Sequence, residues 1–180
     1  MAKKPLSKYI KYVLSAFLLL ATLSGCTSYR PLDLPQMREF KESVLKEYPR
    51  AKVYCNYRYD WGVDISAINV LVDEEFAYTV LSILQPIVCD EGFIEDLFEL
   101  YEEEADGDHN WKLGQRPDIG LYIGPYQFSA RATKEGYNSG YDPDSYTWDG
   151  YTTWYGTEFV NHEPREITPE EIEEAIKRYT

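Results

Sequence analysis

Apolar residues recur at helical spacing in four stretches of the chain. In the first of them Met37, Phe40 and Val44 fall on one face, which is typical of a helix that packs one side against a core. Three later stretches repeat this spacing. The pattern predicts helices over residues 34–48, 73–85, 91–104 and 168–179.

Capping residues mark the start of the last predicted helix most clearly. Thr168, Pro169 and Glu171 fit a capping box, in which a hydroxyl and a carboxylate satisfy the first backbone N–H groups. Ile167 and Ile172 stand where a hydrophobic staple needs them. We therefore expect this helix to begin at Thr168.

Acidic residues and prolines bound the first two predicted helices. Asp33 and Asp73 are expected to cap them, because Asp is a favoured N-cap residue. Pro49 and Pro86 are expected to end them, because proline lacks the backbone N–H and clashes with the preceding turn.

From Ala51 onward several stretches alternate between apolar and polar residues. This period of two is typical of a half-buried strand. The helices and strands together predict an α+β fold, with an antiparallel sheet of about four or five strands covered on one face by helices. The alternation predicts strands over residues 51–59, 63–72, 119–123, 126–130 and 151–160.

The N-terminal pattern differs from the rest of the chain. Lys3, Lys4, Lys8 and Lys11 precede an apolar run over residues 13–23. A basic head followed by about 7–15 apolar residues is typical of a secretory signal peptide. The run is shorter than the roughly 20 residues that a transmembrane helix needs.

The tetrad Leu23-Ser24-Gly25-Cys26 ends this apolar run. It resembles the lipobox of bacterial lipoproteins. The resemblance implies that Cys26 receives a diacylglyceryl group and becomes the first residue of the mature protein. Two or three acyl chains would hold the protein on a membrane without a spanning helix.

The resemblance also implies how the chain is organised and located. Residues 1–25 would be the signal peptide, 26–33 the lipidated N-terminus and a tether, and 34–180 a single α+β domain. The mature protein would be extracytoplasmic. It would be anchored to the outer membrane of a diderm cell or to the outer face of the cell membrane of a monoderm one.

Charge excludes some functions of the mature chain. Cleavage would remove four lysines and no acids, which leaves 14 basic and 31 acidic residues and a net charge near −17. Nucleic-acid binding is therefore not expected, because that affinity comes from basic patches. The same charge disfavours general attraction to an anionic membrane surface and suits a soluble domain.

Cys55 and Cys89 are the two cysteines besides Cys26. An even pair in an exported domain is compatible with one disulfide. The alternative is two small buried thiols, which are common in protein cores.

Aromatic residues are densest over residues 137–159, where Gly, Asp, Asn and Ser separate them. Such a mixture suits recognition of a glycan or a protein, since flat rings and polar groups act together. Alternatively, the rings pack against the sheet and each other. The residues that we expect at a ligand or partner site are Trp148, Tyr151, Trp154 and Tyr155.

Signals for metals and catalysis are weak. Two loops carry oxygen ligands that could hold Ca²⁺, but neither has the EF-hand spacing. The two histidines fit no zinc motif, and we expect no bound cofactor beyond the acyl groups on Cys26. The residues concerned are Asp106, Asp108, Asn110, Asp142, Asp144 and Asp149 for calcium, and His109 and His162 for zinc.

The sequence thus favours a lipid-anchored envelope protein that binds an envelope protein or glycan and is not an enzyme. One alternative is a small surface hydrolase that acts on cell-wall or carbohydrate substrates through paired carboxylates. Another is an acidic inhibitor or immunity-type lipoprotein, whose surface would meet a basic protein.

Overall fold

The structure, a computed structural model, describes residues 29–58, 62–104, 117–130 and 151–179. These residues form seven strands and four helices. In chain order they are β1 (Arg30–Pro31), α1 (Pro35–Glu47), β2 (Lys52–Arg58), β3 (Gly62–Ile68), α2 (Glu74–Val88), α3 (Glu91–Glu104), β4 (Asp118–Ile123), β5 (Tyr126–Ala130), β6 (Trp154–Val160), β7 (Glu163–Ile167) and α4 (Pro169–Tyr179).

The seven strands form one sheet in which they lie side by side in sequence order. Every neighbouring pair is antiparallel except β3 and β4, which are parallel. A parallel pair needs a crossover connection, and α2 and α3 lie in it. The predicted α+β class is confirmed, whereas the predicted number of strands is too low.

The helices all pack on the same face of the sheet. Val63, Ile65 and Ala67 of β3 are buried and belong to a single core together with the apolar faces of the helices. The intervening Asp64 and Ser66 point to the other face. No layer covers that second face within the part of the chain that the structure describes.

An aromatic cluster joins two helices to the sheet. The ring of Tyr78 in α2 lies 5.4 Å from that of Phe128 and 6.2 Å from that of Tyr126, both in β5. The ring of Tyr179 at the end of α4 stacks on Tyr78 at 6.3 Å. The cluster therefore fixes α2 and α4 over the same part of the sheet.

The strand β7 was not expected from the sequence. Asn161 and His162 have φ values of 52° and 70° and connect β6 to β7 through a two-residue turn. Positive φ at both central residues is the geometry of a hairpin turn that matches strand twist. The single strand predicted over 151–160 is thus the first half of a hairpin.

The strand β1 lies within the stretch expected to be a tether. Arg30 and Pro31 pair with Tyr57 and Asn56 of β2. The next residue, Leu32, is buried and donates its N–H to the Cys55 carbonyl at 2.9 Å. Residues 30–32 therefore already belong to the sheet.

Most predicted helix ends are confirmed. The Thr168 N–H donates to Glu171 Oε2 at 2.8 Å, and the Glu171 N–H donates to Thr168 Oγ1 at 3.3 Å. These two bonds are the reciprocal pair of a capping box. Asp73 caps α2 by accepting the Phe76 N–H at 2.9 Å.

Two helix-end predictions are wrong. Asp33 accepts a hydrogen bond from Arg38, and Leu34 takes the N-cap position because Pro35 occupies the first helical position. Pro86 lies inside α2, which continues to Val88. The proline costs only one backbone hydrogen bond near the end of the helix, and the buried side chain of Val88 holds the last turn in the core.

Candidate ligand-binding surface

The uncovered face of the sheet, called the open face below, has a regular arrangement of side chains. The strand register aligns its residues in rows that cross the strands. One row contains Tyr54, Ser66, Tyr122, Gln127, Thr157 and Glu166, and the neighbouring row contains Pro31, Asn56, Asp64, Gly120, Ser129 and Tyr155.

The ring of Tyr122 lies over Gly120, two residues earlier in β4. A Cβ atom added to Gly120 would stand 2.9 Å from both Cε2 and the hydroxyl oxygen of Tyr122. Real Cβ atoms do not come so close to other atoms. The missing side chain at Gly120 is therefore what allows the ring to lie along the sheet.

A carboxylate lies on the strand next to the same ring. Asp64 stands opposite Gly120 on β3. Burial, followed by the charge of Asp64, raises the pKa of Tyr122 above its usual value. The hydroxyl beside Asp64 thus stays protonated.

A shallow depression of about 130 Å³ lies beside the Tyr122 ring. Phe128 and Gly156 also line it, although the Phe128 side chain points into the core. The remaining lining residues share one property, because each is neutral and carries a hydroxyl or an amide. They are Tyr122, Gln127, Ser129, Tyr155 and Thr157.

This neutrality stands out in a chain of net charge −13. The described lining of the depression contains no carboxylate, lysine or arginine. The observed chemistry suits a neutral ligand.

The structure separates the residues that we expected at a binding site. Tyr151 is 1% exposed and donates its hydroxyl to the Pro117 carbonyl at 2.7 Å, and Trp154 is 2% exposed. Both therefore serve the core and offer no ring to a ligand. Tyr155 is 52% exposed and lines the depression, whereas Trp148 lies outside the described residues.

The structure does not join Cys55 and Cys89 in a disulfide, which was one of the two alternatives that the sequence left open. Cys55 points into the core from β2, and burial raises the pKa of its thiol to about 11. The Cys89 sulfur instead donates to the Tyr151 carbonyl at 3.5 Å. The two thiols thus lie in different environments. Cys55 is a poor nucleophile because its thiol stays protonated.

Among the described residues, no group of three or more His, Cys, Asp or Glu side chains could hold a metal ion. His162 lies exposed in the turn between β6 and β7. The other residues considered for a metal lie outside the described ranges, as does Cys26. They are Asp106, Asp108, His109, Asn110, Asp142, Asp144 and Asp149.

Sequence reasoning missed Gly120, Tyr122 and Asp64. The density of aromatic residues pointed to residues 137–159. The surface that the structure describes depends instead on the ring of Tyr122 beside Gly120. A signal was present in Ile119-Gly120-Leu121-Tyr122, where the glycine and the tyrosine share the polar side of a predicted strand. Glycine within a strand often marks the close approach of another group.

The described residues thus form an α+β fold with helices on one face of a seven-stranded sheet and, on the other face, a tyrosine-bearing depression lined by neutral side chains. No helix in the described ranges is long and apolar enough to cross a bilayer. Comparison of the chain with protein-family models, curated proteins and solved structures finds no match.

Proposed function

We propose that the protein is a lipid-anchored extracytoplasmic binding module of a bacterial envelope, and that it binds a neutral glycan chain on the open face of its sheet. The observation that carries the binding proposal is the fixed ring of Tyr122 beside a depression lined by neutral hydroxyl and amide groups. The anchoring proposal rests on the lipobox that ends at Cys26.

The chemistry of a sugar ring fits this surface. A pyranose presents C–H bonds on one face, which are attracted to the negative face of an aromatic ring. Its hydroxyls lie around the rim and need partners that both donate and accept. Ser129, Thr157 and Gln127 supply such partners.

Preorganisation supports the same proposal. The Tyr122 ring rests on Gly120 before any ligand arrives. A ligand that stacks on it does not have to immobilise the side chain, which reduces the entropy cost of binding. The two rows cross the strands from β2 to β6, so the surface is wide enough for more than one sugar.

Glycan binding can be tested with soluble residues 27–180, which contain every described helix and strand. We expect this protein to co-sediment with peptidoglycan or with one of a panel of insoluble neutral polysaccharides. The double variant Tyr122→Ala/Tyr155→Ala should bind at least about tenfold more weakly, since losing aromatic contacts costs roughly 1–2 kcal/mol or more.

Tyr54→Ala is the matched control for that experiment. Tyr54 is a tyrosine on the same face, 49% exposed, but it does not line the depression. Its replacement should leave binding within about twofold, a difference well under 1 kcal/mol. Equal loss in all variants, or no binding by the parent protein to any glycan, would contradict a glycan site at the depression.

The lipid anchor is tested by Cys26→Ala in the full chain. The change removes the thiol that would carry the diacylglyceryl group. We expect the variant to remain an uncleaved precursor without incorporated fatty acid, as measured by metabolic labelling and electrophoretic size. Normal labelling and maturation of the variant would show that Cys26 is not the anchor.

A further inference from the structure

The two ends of the sheet, taken along the strands, differ because the N-terminal chain leaves the sheet at only one of them. At one end, called the anchor end, β2 finishes at Arg58 and β4 starts at Asp118. Since β1 runs antiparallel to β2 and Arg30 pairs with Tyr57, the N-terminal chain leaves the sheet at this end. The other end, called the far end, holds the last residues of β3 and β6.

The distance between the proposed lipid and the anchor end is short. Only Thr27 and Ser28 separate Cys26 from Tyr29. An extended chain covers at most about 3.6 Å per residue, so the Cα atoms of Cys26 and Tyr29 lie within about 11 Å of each other. Pairing of β1 and burial of Leu32 hold the following residues on the domain.

The side chains at the anchor end suit the headgroup region of a bilayer. Tyr29 is 52% exposed, and the Arg58 guanidinium lies 5.5 Å from its ring centroid. Arg30 is exposed next to them. Tyrosine is favoured where an apolar surface meets water, and guanidinium groups bind phosphate oxygens well.

The far end carries exposed apolar side chains. If the domain bound a membrane without a lipid anchor, these side chains would be the expected membrane contact. They are Ile68, Val70, Leu71 and Val160. Six residue steps separate Gly62 from Ile68, which corresponds to about 20 Å along the strand. A domain held at Tyr29 with its strands upright keeps these residues away from the bilayer.

We infer that the anchor end is a membrane-contact surface, with Tyr29 and Arg58 at the phosphate headgroups and the strands directed away from the bilayer. This inference rests on the lipid anchor proposed above. Contact is local, because the anchor supplies the binding energy and the net negative charge of the chain opposes wider adhesion to anionic lipid. The far end and the open face then remain accessible to other envelope components.

The test uses the lipidated mature protein in vesicles of phosphatidylcholine and phosphatidylglycerol that contain a lipid with a nitroxide on its headgroup. A fluorophore is attached either to Thr152→Cys, near the start of β6, or to Val70→Cys, in a Cys89→Ser background. We expect the label at 152 to lose most of its fluorescence and the label at 70 to lose little.

The possible outcomes separate the two proposals. Equal quenching at both positions, or stronger quenching at position 70, would overturn the orientation while the protein still floats with the vesicles. Failure to float with vesicles would overturn the lipid anchor, and the orientation with it. Cys55 does not take up the label in the folded protein, because it is buried.

A second variant pair tests the contact itself. A flexible spacer of about 20 Gly and Ser residues between Ser28 and Tyr29 removes the short-tether constraint. Quenching at position 152 should then persist in part and fall further with Tyr29→Ala, but not with Tyr54→Ala, a tyrosine of similar exposure away from the anchor end. Equal effects of the two substitutions would overturn the role of Tyr29.

Discussion

Tyr122 depends on two neighbours that act in different ways. Gly120 has no side chain, which leaves space on β4 for the Tyr122 ring to lie along the strand. Asp64 contributes a negative charge on the adjacent strand, which favours the protonated Tyr122 hydroxyl. The position of the ring therefore depends on a steric interaction, and the protonation of its hydroxyl on an electrostatic one.

Gly120→Ala tests the steric part of this arrangement. The added methyl group would stand 2.9 Å from Cε2 and the hydroxyl oxygen of Tyr122 and displace the ring. We expect glycan binding to fall as far as in Tyr122→Ala, while the free energy of unfolding changes by no more than about 1 kcal/mol, because alanine is favoured over glycine within a strand. Glycan co-sedimentation and urea denaturation measure the two effects.

Tyr122→Phe is the companion variant, since it keeps the ring and removes only the hydroxyl beside Asp64. Its binding should lie between that of the parent protein and that of Gly120→Ala. If Gly120→Ala binds the glycan as well as the parent protein does, contact of the Tyr122 ring with Gly120 does not position the ring for the ligand.

At the scale of elements, the junction between β7 and α4 is stabilised by several short-range interactions. Arg165 donates to Glu158 of β6 from Nε at 3.0 Å and from a terminal nitrogen at 2.9 Å. It also donates to Glu171 of α4 at 3.2 Å. Because these groups are largely exposed, their contribution is small, and the cap and the buried Ile167 and Ile172 hold the junction.

Thr168→Ala tests the contribution of the cap. The change removes the hydroxyl that accepts the Glu171 N–H. We expect a loss of about 1 kcal/mol in the free energy of unfolding, measured by urea denaturation, whereas Thr168→Gly should cost only a few tenths of that amount. Thr152→Ala, at an exposed threonine outside the helices, should have little effect. A cost at Thr152 equal to that at Thr168 would contradict the role of the cap.

At the scale of the whole molecule, buried ionisable groups link stability to alkaline pH. Burial raises the pKa of Cys55 from 9.0 to about 11. Burial, followed by the charges of nearby glutamates, raises the pKa of Tyr78 and of Tyr126 from 10.0 to about 12. All three groups are neutral in the folded core at pH 7.

The free energy of unfolding should therefore decline in an alkaline window. Well below pH 9 both the folded and the unfolded protein hold these protons, so the groups cause no pH dependence. Above pH 9 the unfolded chain releases them first, and stability should fall from pH 9 to about 12. Urea denaturation at intervals from pH 7 to 11 measures the decline.

Cys55→Ala isolates one contribution to this profile. It removes the thiol that titrates first in the unfolded chain, so the decline should begin nearer pH 10. The variant is also expected to be less stable at every pH, because it shortens a buried side chain. A parent protein whose stability is constant from pH 7 to 11 would contradict the burial of these groups.

Patterns that depend on near neighbours in the chain predicted much of the fold. The capping box at Thr168, the cap at Asp73 and the alternation along β2 each involve residues within a few positions of one another. The missed strands needed more information. β1 is too short to show a period, and β7 is rich in charged and exposed residues, so that its pairing with β6 rather than its own pattern makes it a strand.

The candidate site could be predicted only in part for the same reason. Tyr155 was expected from its aromatic neighbourhood and is exposed, whereas Tyr151 and Trp154 from that neighbourhood are core residues. Tyr122 joins Tyr155 only because β5 lies between β4 and β6 and brings two distant segments within one depression. Strand order is a property of the folded sheet and is not carried by local spacing.

By itself, the sequence determined the α+β class, most helix boundaries, the absence of a basic nucleic-acid-binding composition and the likeness of residues 23–26 to a lipobox. All of these depend on composition or on residues close together in the chain. Only the tertiary structure decided which tyrosines are buried and which are exposed, that Gly120 seats Tyr122 beside Asp64, and that the N-terminus leaves at one end of the sheet. These features depend on contacts between residues far apart in sequence, which form only when the strands pair and the core closes.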